Sequence, residues 1–456
     1  MRKLSLLFIL FIFSLALWAQ EEEAPNDGSS PGILSWDDLD REPPPKKRFA
    51  LKNRRFEFSL VDLDISFSNS FLAADYVIRN PVEMIKSGKL FKDSVSINVN
   101  DFLDGFQINA DVIVNPVSFK FNWKDKWGFG MDIGRVDVTG NLLLSGHLMS
   151  INEADSDKFG AGGAVFVDCG IPVFFHYDDF KIKIRPSVYL PVVYAEPNIT
   201  YSYTESFNPS TGDPGMRMQV DYDVRVYSIV DMQGFGNGDM GAVWRNLQDK
   251  GWDIPRNNLG YDFSLGVEYP WYDWLDVGVD IVNIPVPFAS ANLDYYMQFN
   301  GQAFFDSSRI DIGSMIDGED LSEDAYGYPE DMEIKYFDNG GKTIYRPFTM
   351  LFYAKYRPNE SQIFSLIPSL GFSINRLYTK IGSVEGGLSA RWDLWNIFIT
   401  TVGINYNDRR WRNSFDFVFN LRVFEFDLGI SFQSSNFKKS FQGAGLGVAI
   451  GLKFGW

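Results

Sequence analysis

Towards its end the chain alternates. Phe415, Phe417, Phe419 and Leu421 interleave with Asp416, Val418 and Asn420, and Phe424, Phe426, Leu428, Ile430 and Phe432 interleave with Glu425, Asp427, Gly429 and Ser431. From Ala444 to Trp456 the even positions are apolar (Leu446, Val448, Ile450, Leu452, Phe454) and the odd ones small or polar (Gly445, Gly447, Ala449, Gly451, Lys453, Gly455). A period of two predicts β-strands with one apolar face and one face of charge and glycine.

The same period starts near Arg55, where Phe56 and Phe58 and then Leu63, Ile65 and Phe67 alternate with Glu57, Ser59, Asp62, Asp64 and Ser66. Further strands are expected at 106–121, 127–138, 159–175, 180–203, 216–230, 260–269, 274–299, 343–356, 363–374, 383–391, 397–406, 413–421, 423–433 and 444–456. With the strand at Phe56 this gives one more than an even number, whereas a barrel with both chain ends on one side needs an even one. The fold class is therefore all-β, an antiparallel transmembrane β-barrel of about 14 strands, within a range of roughly 12 to 16. Residues 68–105 lack strand alternation, and Asn80-Pro81 interrupts any helix there, so a short helical or irregular insert is expected.

Periodicity leaves a soluble β-sandwich open, since the same alternation arises with the apolar face turned inward. The strand ends favour a barrel. Trp123 and Trp127, Trp271 and Trp274, and Trp392 and Trp395 bracket tight turns containing aspartate, and Trp456 ends the terminal strand. Indole settles at headgroup level, so these tryptophans form an expected aromatic girdle on one rim. Counting back from a periplasmic C-terminus puts the turns at 421–423, 392–396 and 357–362 inside, and the loops at 434–442, 407–412, 376–382 and 305–342 outside. The Trp271–Trp274 turn falls inside only if Asn283-Ile-Pro-Val-Pro287 is a kink within one strand. Pro285 and Pro287 are thus assigned to a wall kink.

The start of the chain reads as an export signal. Arg2 and Lys3 precede an apolar run from Leu4 to Leu17 and the exit Trp18-Ala19, so residues 1–19 are expected to be a signal peptide. Residues 20–54, with Glu21-Glu22-Glu23, Pro43-Pro44-Pro45 and Lys46-Lys47-Arg48, are expected to be a mobile arm or plug segment, leaving 55–456 for the barrel. The formal net charge of −17 falls to −19 without Arg2 and Lys3 and argues against a nucleic-acid partner. One cysteine, Cys169, excludes an internal disulfide framework. His147 and His176 have no metal or triad spacing, and Gly160-Ala-Gly-Gly163 lacks dinucleotide spacing. An enzyme, a metal and a cofactor are accordingly not expected.

The terminal strand and its final aromatic resemble the C-terminal signature of bacterial outer-membrane proteins, which implies recognition by the barrel-assembly machinery. The signal peptide, N-terminal arm, strand number, proline kink and stretches such as Gly260-Tyr-Asp-Phe-Ser-Leu-Gly-Val-Glu-Tyr and Val279-Asp-Ile-Val-Asn-Ile-Pro-Val-Pro resemble the long-chain fatty-acid transporter type of outer-membrane barrel, in the divergent forms common in spirochaetes. That resemblance, over 55–456, implies passive uptake of small hydrophobic molecules, an N-terminal plug and a lateral gap in the wall. The Asn-Pro-Ala start typical of the family is absent.

Alternation points Asp262, Glu268, Asp276, Asp280, Glu385, Asp416, Glu425, Asp427 and Lys453 into the lumen, with a basic row at Lys181, Lys183 and Arg185. These would govern selectivity, or pair with one another to brace the lumen. The acidic stretch with Asp317, Glu319, Asp320, Glu323 and Asp324 lacks EF-hand spacing and is expected to be a solvated outer loop. The expected location is the outer membrane, the expected partners are its lipid and a small-molecule cargo, and the expected function is a channel or transporter. Two alternatives stay open: a surface barrel acting as an adhesin or structural protein, and a soluble periplasmic β protein.

Overall fold

The computed structural model describes residues 54–69, 105–123, 126–145, 159–177, 179–207, 214–232, 258–286, 291–306, 326–327, 333–358, 363–374, 382–407, 410–421 and 423–456, with single residues between them. The expected signal peptide, the arm up to residue 53, the insert at 70–104 and the acidic cluster at 317–324 lie outside the described residues, as does Pro287.

Among the described residues twenty strand segments follow one another along the chain. They are β1 (Phe56–Asn69), β2 (Gly105–Asn115), β3 (Val117–Trp123), β4 (Trp127–Ser145), β5 (Phe159–Gly170), β6 (Val173–Tyr177) and β7 (Phe180–Phe207). Next come β8 (Pro214–Ser228), β9 (Gly260–Tyr272), β10 (Leu275–Pro285), β11 (Ala291–Asp306), β12 (Tyr326–Gly327), β13 (Glu333–Ile344) and β14 (Phe348–Tyr356). The last are β15 (Phe364–Ile374), β16 (Ser383–Leu394), β17 (Phe398–Asn407), β18 (Arg410–Asn420), β19 (Phe424–Ser434) and β20 (Gly445–Gly455), with a one-turn helix α1 (Phe437–Ser440) before β20.

All these strands pair antiparallel, and the first closes on the last: Leu63 faces Ile450 and Ile65 faces Val448 across β1 and β20. The result is a closed barrel of 14 strands. Several wall positions are built from two segments in line. β2 and β3 are separated by Pro116, β5 and β6 by Ile171 and Pro172, and β13 and β14 by Tyr345, Arg346 and Pro347. Proline has no N–H to give a ladder, so each interruption falls where the sequence removes a donor. The surplus strand in the sequence reading is explained the same way. The upper half of β7 pairs with β8 and its lower half with β9, so β8 and β9 are two halves of one wall position, parted by the segment 229–259.

β10 and β11 likewise share a position, broken after Pro285. The register slips between Ile281 and Ile284, and Asn283 adopts φ 55°. Other boundaries moved outward: β4 runs to Ser145 and β7 to Phe207. The expected loop at 407–412 shrinks to two residues, because Asn407 and Arg410 are themselves paired.

The apolar face is outside. Leu370 and Val384 are 65% and 64% exposed, while Glu425 and Ser431 are 0% exposed. A soluble sandwich buries the opposite face, so this inversion decides the ambiguity that alternation left. Trp123, Trp127, Trp271, Trp274, Trp392, Trp395 and Trp456 are all exposed, at the end of the barrel where the short turns lie. A second aromatic group, unforeseen from sequence, sits at the other end: Tyr406 packs on Trp411, Trp411 on Phe437 and Phe437 on Phe441 at 4.9, 4.8 and 5.2 Å. Phe398 and Tyr406, at opposite ends of β17, are separated by roughly 20 Å of barrel height at the usual tilt, close to a bilayer's apolar band.

Candidate functional site

The residues assigned to the lumen all lie on the inner face or beside it, and most are paired. Lys181 on β7 bonds Glu268 on β9 at 2.9 Å, and Glu268 also accepts from the Tyr353 hydroxyl at 3.1 Å. Asp276 accepts two bonds from Arg357, one of 3.0 Å. Glu425 is held by Lys453 and by Arg54, each at 3.2 Å, while Lys453 also reaches Asp427 at 2.8 Å. Asp280, Glu385 and Asp416 are buried on the inner face, as is Lys183.

Arg185 and Asp262 belong to a larger network that the sequence reading did not assemble. Its centre is Arg346, in the break between β13 and β14. The Arg346 guanidinium donates from Nε to Asp262 at 2.7 Å, from Nη2 to Asp262 at 2.6 Å and to the Ser187 hydroxyl at 2.8 Å, and it pairs with Asp168 through Nη1. Arg185 joins from β7, donating to Asp168 at 2.6 Å and to Asp132 at 2.9 Å. Around the wall, β14 and β5 are separated by β10, β9 and β7. Four strand spacings are about 19 Å along the sheet, so Arg346 and Asp168 meet over the lumen rather than along the wall. Arg185 and Asp168 are 1% exposed, so charged side chains fill the lumen at this level. A Cβ on Gly170 would lie 2.4 Å from the Arg185 guanidinium, and β5 makes room for that group by carrying glycine there.

Apolar side chains gather against this charged layer. Phe166, Tyr189, Val192, Tyr194, Tyr227, Leu293 and Ile344 pack with Ile229, Val230 and Met232, which follow β8. The two regions touch at Tyr189, whose hydroxyl donates to the Ile344 carbonyl at 3.0 Å and whose ring lies 5.1 Å from the Arg346 guanidinium carbon.

Among the described residues the strand pairing beside this cluster is interrupted. Three neighbouring positions break at one height: between β8 and β9, between β10 and β11, and between β13 and β14. Side chains bridge the rims. Asn283 donates from Nδ2 to the Pro347 carbonyl at 2.8 Å, and its backbone N–H donates to the Ser264 hydroxyl at 3.1 Å. Asn258, buried at the foot of the segment before β9, donates to the Asn292 carbonyl at 2.6 Å and to Asp294 at 3.1 Å. Pro285, the described member of the expected kink pair, ends β10 at this break.

No family model and no curated protein matches the sequence. Among solved structures the chain is similar to the P. putida toluene transporter TodX, with 9% identity, 89% of this chain and 91% of that chain covered and a TM-score of 0.41. It is similar to the Ralstonia pickettii toluene transporter TbuX at 7% identity, with 89% and 90% covered and a TM-score of 0.41. The CymD monoaromatic hydrocarbon channel gives 6% identity, 88% and 89% coverage and a TM-score of 0.42. The fold itself is defined by the strand pairing and the inverted faces.

Proposed function

We propose that this protein is an outer-membrane channel for the passive uptake of small hydrophobic molecules. The observation that carries this reading is the placement of the buried apolar cluster: inside the barrel, against a lumen layer filled with paired charges, and beside the interrupted strand pairing. An apolar solute gains by leaving water for such a cluster. The charged layer opposes it along the axis, since displacing an arginine from its carboxylates uncovers buried charge. Sideways the obstacle is smaller, because three neighbouring wall positions break together there and side-chain bonds bridge the rims. The solute would leave through that break into lipid.

In this reading the signal peptide directs export, the terminal strand addresses the assembly machinery, the arm at 20–54 acts as a plug, and the lumen charges brace the barrel and exclude ions. The test compares uptake of toluene and of a neutral sugar of similar size by intact Gram-negative cells with and without the protein. Faster toluene entry with unchanged sugar entry supports the reading. Faster entry of both would make it an open porin, and no gain in either would favour the surface-contact alternative.

A further inference from the structure

The loop that joins β19 to β20 turns outward over the lipid-facing side of the barrel. Trp411 and Asn413 share the face of Phe415, which is 48% exposed on the outer surface of β18. Asn413 donates from Nδ2 to the Ser440 hydroxyl of α1 at 2.9 Å, and the Trp411 ring lies 4.8 Å from that of Phe437. The one-turn helix is thus fastened to the outside of the wall, at the rim away from the chain ends. Its own bonds hold its shape. The Asn436 side chain accepts from the backbone N–H groups of Lys438 and Lys439 at 2.9 and 3.4 Å, the Ser440 hydroxyl donates to the Phe437 carbonyl at 2.6 Å, and the Ala444 N–H donates to the Lys439 carbonyl at 3.2 Å.

That fastening decides what the loop shows. Lys439 and Ser440 are buried against the barrel, whereas Phe437, Lys438 and Phe441 are exposed, the two phenylalanines by 46% and 56%. A loop that only caps a barrel in water gains nothing by presenting two phenyl rings. With Tyr406 and Trp411 these rings instead carry the apolar outer wall, on which Phe432 is 42% exposed, up to headgroup level. Lys438 belongs to the same exposed surface. Among the described residues its ammonium has no carboxylate partner, whereas Lys181, Lys342 and Lys453 are paired with Glu268, Glu196 and Glu425. In a chain with a formal net charge of −17, an open cation beside lipid-facing rings matches a phosphate.

We propose that α1 and the rim beneath it bind the phosphate-bearing headgroup of an outer-leaflet lipid, with the Lys438 ammonium on the phosphate and Phe437, Phe441 and Trp411 against the first carbons of its acyl chains. The phosphate takes a charge-assisted bond from the ammonium. One lysine at an anionic membrane surface strengthens binding about fivefold. The rings supply the rest, since they cover apolar carbons that a dissolved anion does not bring. A free phosphate would meet only a solvated, exposed ammonium, which holds an anion weakly against water. The site lies outside the lumen and is independent of what the barrel carries.

Native mass spectrometry of the detergent-folded full chain tests this, by titration with phosphorylated lipid A, with the same lipid after removal of its phosphates, and with inorganic phosphate. The phosphorylated lipid should bind about fivefold more tightly than the dephosphorylated one, and inorganic phosphate should neither bind nor displace it. Lys438→Met should abolish the preference for the phosphorylated lipid, and Lys438→Arg should keep it. Phe437→Ser with Phe441→Ser should weaken both lipids alike. Equal binding of the phosphorylated and dephosphorylated lipids, or a Lys438→Met variant with its preference intact, would overturn the headgroup site and leave the rings as an ordinary aromatic girdle. Inorganic phosphate that binds as tightly as the lipid would overturn it as well. The uptake reading survives each of these results, because the toluene assay tests it separately.

Discussion

Arg346 and Asp168 stand 178 positions apart in the chain and form a buried ion pair over the lumen. Removing Arg346 leaves Asp168 and Asp262 beside one another with less cation than carboxylate. Breaking a buried pair from one side costs about 3–5 kcal/mol. Arg346→Met should therefore lower the temperature at which the folded barrel loses its fast gel migration, and adding Asp168→Asn and Asp262→Asn to it should recover part of the loss. A variant as heat-resistant as the original would show that the network contributes nothing.

In the proposed channel the same pair would block passage along the axis. In a planar bilayer the unaltered protein should give no steady ionic conductance, because paired side chains fill the lumen. Arg346→Ala together with Asp168→Ala should open a conducting path. Silence from both forms would place the obstruction elsewhere.

Gly260 and Tyr189 provide a packing test. A Cβ at position 260 would lie 2.1 Å from the Tyr189 ring. Gly260→Val should destabilise the barrel by about 1–3 kcal/mol, the usual cost of overpacking. Tyr189→Ala in the same chain should relieve much of that cost, as measured by urea titration of the barrel in liposomes.

The outer face can be probed at Leu388, exposed at the middle of β16. Arginine at a bilayer midplane costs about 2–4 kcal/mol in barrels of this kind. Leu388→Arg should reduce folding stability in liposomes by that amount and have little effect on gel migration in a short-chain detergent. An unchanged stability in lipid would contradict the placement of this face against acyl chains.

Much of the fold was legible because alternation is local. Phe415 and Asp416 declare their faces by being adjacent, and the short tryptophan turns give the strand direction. The strand number was legible as about 14, but the segment-by-segment count ran one too high, because β8 and β9 look like separate strands along the chain and become one wall position only through their shared partner β7. The lumen network was legible in half. Arg185 and Asp262 follow from alternation. Arg346 lies outside any strand, and its only local signal is an arginine before Pro347 at a break. Asp168 alternates correctly within β5, yet nothing near it in sequence names its partners, which depend on barrel closure. The row of Tyr194, Tyr227 and Tyr296 was missed for the same reason. These residues acquire a common face through inter-strand register, and a bulge near Val192 shifts the alternation that would have placed Tyr194.

Uptake of the fluorescent hydrophobic probe N-phenyl-1-naphthylamine by intact cells tests the central claim most directly, when the unaltered protein is compared with Leu293→Arg. Leu293 is fully buried in the apolar cluster, and a guanidinium there puts charge in the path of an apolar solute. The account predicts faster uptake than in cells without the protein, and a fall to their level in the variant while its barrel still folds. Uptake no faster than in cells without the protein, or an increase that a folded Leu293→Arg barrel retains in full, would contradict it.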